Sequence, residues 1–224
     1  MKKIGLILLT VLSVVGIAQP RFGLRFSPTL ALNRVASKVD TLKFKNFGSG
    51  IRYNAGIFFD FPLSENVAFN GCLSFATKRT GVKIEQFESV YNTQHVQIPL
   101  GLKFFTDDII QGLKIYFLVG GLFDVKISEK VKGEEEVLLL YLAQNQPDGK
   151  KRTLFQPFDA AVNIGTGVEY KISSNNSLFA GISYQHGLIN MFNPLVKDPV
   201  TNKLLTSVLA TKVSLINLDM GIKF

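Results

Sequence analysis

Tryptophan is absent from the 224 residues, histidine occurs twice and cysteine once. With Cys72 alone, no internal disulfide can form, so a disulfide-stapled scaffold is excluded. The chain has no His-x-x-x-His spacing and no Cys pair, and the acidic run Glu134, Glu135 and Glu136, which could attract a cation, reads as a solvated loop, so neither a metal nor a cofactor is expected. Beyond the first apolar run, no stretch approaches 18 uninterrupted apolar residues, which excludes a membrane-spanning helix. The glycines at 120–121 and 165–167 precede no helix pattern, so they do not make a phosphate loop. Acidic residues number 17 against 25 basic ones, but aromatic residues do not interleave with the excess. A nucleic-acid partner is therefore not expected.

What is present is apolar and periodic. Phenylalanine occurs 19 times and mean hydropathy is positive at +0.22. Lys2 and Lys3 precede the run Ile4–Ile17, and residues 16–20 read Gly-Ile-Ala-Gln-Pro, with small residues at 16 and 18 where a signal peptidase reads. Residues 1–18 thus read as a secretory signal peptide, and 19–224 as the mature domain. Within that domain, alternation of apolar and polar residues recurs eight times. It runs through RFGLRFSPTLAL, IRYNAGIFFDF, VAFNGCLSFA, HVQIPLGLKFF, LKIYFLVGGLFDVK, FDAAVNIGTGVEY, SLFAGISYQHG and the closing SLINLDMGIKF. A period of two is that of a β-strand with unlike faces.

The connections alternate in length. PLSEN, TDDIIQG and SSNN are short, whereas the segments 33–50, 78–94, 127–157 and 187–211 are long. An antiparallel up-and-down transmembrane β-barrel of eight strands has this pattern, with short periplasmic turns and long extracellular loops. The polar face is rich in Gly and carries charges of both signs, which suits a crowded lumen better than a soluble surface. The expected location is the bacterial outer membrane. The lipid and the barrel assembly machinery are the first partners this implies.

HVQIPLGLKFF, IYFLVGGLFDVKIS, DAAVNIGTGVEY and NLDMGIKF resemble the outer-membrane β-barrel domain of Bacteroidetes, the PorT-like family, over nearly all of the mature chain. These are strand patterns rather than site motifs. The resemblance implies an outer-membrane barrel and, for some members, service in the type IX secretion and gliding machinery.

Chemistry is sparse. Val96 and Gln97 follow His95, and Gly187 and Leu188 follow His186. The His-x-Ser couple of a lipid A deacylase is therefore missing, and no enzyme is expected. The lumen charges should pair, because an unpaired charge in a narrow interior is costly. Strand positions at the periplasmic end place Arg25 between Asp60 and Asp219, and Lys114 against Glu169. Phe224, aromatic and terminal, is expected to act as an assembly signal at the inner interface. In the third long loop, Val137, Leu138, Leu139, Leu140, Tyr141 and Leu142 form an apolar strip that is the candidate partner contact. The function expected is a non-enzymatic barrel with a filled lumen and partner-binding loops, serving a surface or secretion-complex protein. A small-solute channel is the alternative, and a lipid-modifying enzyme is the weakest reading.

Overall fold

The computed structural model describes residues 19–37, 44–47, 50–84, 87–132, 146, 148–197 and 203–224. The segment 1–18, read above as a signal peptide, lies outside them. In chain order the elements are β1 (Arg21–Ser37), β2 (Phe44–Phe47), β3 (Gly50–Ser64), β4 (Val67–Ile84), β5 (Phe87–Phe105), β6 (Leu113–Lys132), β7 (Phe158–Lys171) and β8 (Ser177–Gly187). They continue with α1 (Leu205–Val208), a single helical turn, and β9 (Leu209–Lys223).

Every neighbouring pair is antiparallel, and the ring β1-β3-β4-β5-β6-β7-β8-β9 closes on itself through β1 and β9. These eight strands form the barrel. The short β2 prolongs the second wall strand by pairing with the outer part of β4. Closure leaves no free edge, which is what strands in lipid require. The last strand reaches its partner to the end, since the Phe224 amide donates to the Phe22 carbonyl.

Alternation sorts the faces as the residue pattern requires. Leu24, Ile57, Leu73, Phe123 and Ile182 are all more than half exposed on the outside. Asp60, Asn70, Gln97, Lys103, Asp124 and Asp219 are buried inside. Phe22, Phe59 and Phe69 line up in a row on the exterior near the short-turn end, with tilted rings whose centroids are 6.5 and 6.1 Å apart.

One expected loop is strand instead. The segment 78–94 continues β4 and β5, which stay paired out to Ile84 and Phe87. β1 likewise runs to Ser37 against Leu209, and β6 to Lys132. A transmembrane strand needs only about 9–11 residues, whereas β5 has 19 and β6 has 20. The extra length stands in water, where neither face needs to be oily, so the apolar half of the alternation fades while the backbone pairing persists.

Candidate functional site

The lumen is filled in layers. At the short-turn end opens a vestibule of about 480 Å³, rimmed by Arg21, Glu65, Asp108, Lys114 and Lys171. Its floor is four charges. Lys103 Nζ meets Asp60 at 3.4 Å and Glu169 at 3.2 Å; Lys223 Nζ meets Asp60 at 3.2 Å and also contacts Glu169. All four are buried, and two cations face two anions in a closed ring. Asn70 donates a further bond to Asp60 at 2.6 Å. The Lys103 ammonium also lies 4.2 Å from the Tyr116 ring centroid and 5.0 Å from that of Phe105, a cation–π arrangement.

Above the ring comes a belt of Phe58, Cys72, Tyr116 and Phe179. The Tyr116 hydroxyl occupies space that only glycine leaves open, because a Cβ on Gly167 or Gly181 would come within 2.5 or 2.3 Å of it. Beside the belt a cavity of about 30 Å³ is lined by Arg25, Asn70, Ser183 and Asp219. Asp219 accepts from the Ser27 hydroxyl at 2.6 Å.

The third layer has a constellation resembling a catalytic relay. His95 Nδ1 lies 2.7 Å from Asp124 Oδ1, and its Nε2 lies 2.8 Å from the Thr93 hydroxyl. In the neutral tautomer that satisfies both, Nδ1 donates to the carboxylate and Nε2 accepts from Thr93. Lys78 Nζ seals the other side, at 2.5 Å from Asp124 and 2.8 Å from Asp159. Gln97 donates to Asp124 at 3.2 Å and accepts from Asn54 at 2.8 Å. Thr93 is 1% exposed, so a substrate has no approach to its hydroxyl, and the relay is a packed polar network.

The fourth layer is apolar. Tyr91, Leu154, Phe155, Met191, Phe192, Val196 and Leu205 form a buried core with Ala31, Val213 and Leu215 of the wall. Two loop stretches pair across it, through Gln156 N to Met191 O and Asn193 N to Leu154 O. Glu129 accepts from the amides of Leu154 and Phe155, and Lys126 donates to the Phe155 carbonyl and pairs with Glu129. The loops thus cork the long-loop mouth. Outside the cork, Arg152 hydrogen-bonds Asp148 and holds its carboxyl down at about 2.

A family model described as an outer membrane protein beta-barrel domain matches residues 17–193. The chain belongs to this family. It lies in the bacterial outer membrane, with the short turns periplasmic and the corked mouth outward. No match is found among curated proteins. OprG of Pseudomonas aeruginosa is similar in fold at TM-score 0.54 and 9% identity, over 92% of this chain and 94% of that one. Ail of Yersinia pestis (TM-score 0.38, 14% identity, 92% and 99% covered) and the Neisserial surface protein NspA (0.41, 14%, 90% and 95%) are also similar.

Within this barrel the expected charge partners are rearranged. Asp60 and Glu169 are lumenal and ion-paired as expected, but with Lys103 and Lys223. Arg25 is flanked in register by Gly56 and Gly221. Its Nε and Nη2 have no hydrogen-bond partner, and no ion pair to Asp60 forms. Lys114 stands opposite Glu169 in register yet turns to Asp108, 3.8 Å away at the rim. The reason is curvature. On the inner wall of a narrow barrel, long side chains converge toward the axis, so tips meet across an intervening strand: β3 with β5, β5 with β7, β7 with β9. Lys103, Lys223, Asp124 and Asp159 were visible by parity, whereas Lys78 was hidden in a presumed loop. Phe224 sits exposed at the inner interface. The strip Val137 to Leu142 lies outside the described residues.

Proposed function

We propose that the chain is a non-enzymatic barrel that shuts its own lumen and presents its surface loops to a protein partner. The corked mouth carries this reading: the 154–156 and 191–193 stretches are built into a buried core with the wall, so the described part of the outward face is a fixed platform. Binding residues concentrate on loops positioned by a rigid scaffold. The candidate contacts are Val137, Leu138, Leu139, Leu140, Tyr141 and Leu142. Six consecutive apolar residues need cover from a partner, the outer leaflet or the other loops. The narrower form, an accessory of the type IX secretion or gliding machinery, rests on the PorT-like resemblance.

Cross-linking and co-purification from native outer membranes test it. A stoichiometric protein partner that disappears when Leu138, Leu140 and Leu142 become Ser is the expected result, and its identity decides the narrower form. A barrel that purifies alone after cross-linking, or a partner indifferent to the three substitutions, defeats the reading. Lipid A whose mass changes on expression would move the assignment to an enzyme.

A further inference from the structure

The outward ends of β8, β9 and β1 carry a cluster that neither the lumen nor the cork uses. On β1 the lipid-facing parity is apolar from Phe22 through Leu32 and ends at Arg34. On β9 it runs from Ile222 through Ile216 to Ser214 and Lys212. Arg34 and Lys212 are directly opposite in register, so two cations share the lipid face at one height. The Arg34 side chain crosses β9. Its Nη1 donates to His186 Nε2 on β8 at 3.2 Å and its Nη2 to the Gly187 carbonyl at 3.0 Å. His186 Nδ1 lies 3.1 Å from the Tyr184 hydroxyl. An imidazole that accepts from a guanidinium is neutral, so the cluster holds two positive charges.

No acidic side chain on these strands can answer the charges. β1 and β8 contain no Asp or Glu, and Asp219, alone of its kind in β9, faces the lumen near the periplasmic end. Like charges directly opposite in a sheet repel, and cations on a lipid-facing wall are costly unless matched. Their height supplies the match. Lys212 lies ten residues from Ile222. At about 3.3 Å per residue and a tilt near 40°, that is roughly 25 Å along the membrane normal, the height of the apolar band. The cluster therefore sits at the outward headgroup level, where lipids carry phosphates.

We infer that Arg34 and Lys212 form a binding site for the phosphate of an outer-leaflet glycolipid, whose acyl chains lie on Leu32, Tyr184 and Ile216 below. Arg and Lys both bind phosphate strongly. A free anion or an acidic protein segment would arrive from water. This site opens sideways onto the apolar wall, so the phosphate it fits is one attached to a lipid.

The full-length protein in nanodiscs is titrated with bis-phosphorylated lipid A, with the dephosphorylated lipid and with inorganic phosphate, and bound lipid is counted by native mass spectrometry. The wild-type barrel should retain one phosphorylated lipid A, and Arg34→Gln with Lys212→Gln should weaken that retention roughly tenfold or more. Lys150→Gln, an exposed loop change, should leave it unchanged. Heat-modifiable migration shows which variants are folded. If the double variant is not, Lys212→Gln alone replaces it and should weaken retention by a smaller factor. Equal retention by wild type and the folded variant overturns the site. So does equal retention of the dephosphorylated lipid, or inorganic phosphate bound in preference to lipid.

Discussion

At the scale of single residues the lumen is governed by charge neutrality in a narrow interior filled by side chains. Lys103 is the hinge of the lower ring, because it meets both Asp60 and Glu169 within an aromatic belt. Lys103→Met should therefore destabilise the barrel by roughly 3–5 kcal/mol, the cost of stranding a buried partner. Combining it with Asp60→Asn should recover part of that loss, by roughly 1–3 kcal/mol relative to addition. Urea unfolding in lipid vesicles measures the cycle, and strict additivity would remove the pair. Arg25→Ala with Asp60→Asn should instead add within roughly 0.5 kcal/mol, since the two do not touch. A titrating example stands outside the membrane. Asp148 is lowered by the Arg152 bond, so whatever it lends the loop is present above the ordinary carboxyl range and is lost as pH falls through about 2. Arg152→Gln should return the Asp148 carboxyl toward 3.8 in an NMR titration; an unmoved value would contradict the bond. Which residues enter the lumen was readable from parity. Who meets whom was not, because the partners lie two strands apart in ring order and depend on register and wall curvature.

Among the elements, the wall strands were legible where they cross the membrane, since one face must be oily there. They became illegible where they leave it. Thr80, Gly81 and Asn92 look like loop residues, yet β4 and β5 hold their ladder through them. The cork was illegible for the opposite reason. Leu154, Phe155, Met191 and Phe192 follow no period, and only the closure of the mouth brings the two loops together. Phe155 is 1% exposed and stacks on Phe192 at 5.5 Å and against Tyr91 at 5.1 Å. Phe155→Ala should cost roughly 3–5 kcal/mol of local packing, and that loss should fall on the cork alone. Limited proteolysis from outside should then cut near 188–205 while the barrel keeps its heat-modifiable migration. Loss of the folded band would mean that cork and wall unfold as one unit. The terminal strand gives a second case. Phe224 pairs its amide with Phe22 at the interface, where a charge costs only about 0–1 kcal/mol once folded. Phe224→Asp should therefore depress outer-membrane levels through delivery and insertion, with little change in the stability of what is inserted. Normal levels would refute an assembly signal at this residue.

For the whole molecule the question is whether eight strands enclose a path. The barrel's interior is just wide enough for side chains to fill, and the described residues fill it with three successive seals. The lower ring joins Asp60, Glu169, Lys103 and Lys223; the middle network joins Lys78, His95, Asp124 and Asp159; the apolar cork closes the mouth. Seals in series have a testable consequence. Opening any one leaves the others, so the cork cannot be a simple gate. The wild-type protein in planar bilayers should give no porin-sized conductance step. Replacing 153–156 and 191–196 with Gly-Ser segments should still give none, although the vestibule and the loops are then both open to water. Conductance should appear only when the middle network and the lower ring are both removed as well, for example by Lys78→Ala, Asp124→Ala and Asp159→Ala with Lys103→Ala, Lys223→Ala, Asp60→Ala and Glu169→Ala in the corkless background. A step in the wild type would reinstate the solute channel as the protein's task. A step on removing the cork alone would show that the charged layers part readily, and that the mouth is where this barrel decides whether to be closed.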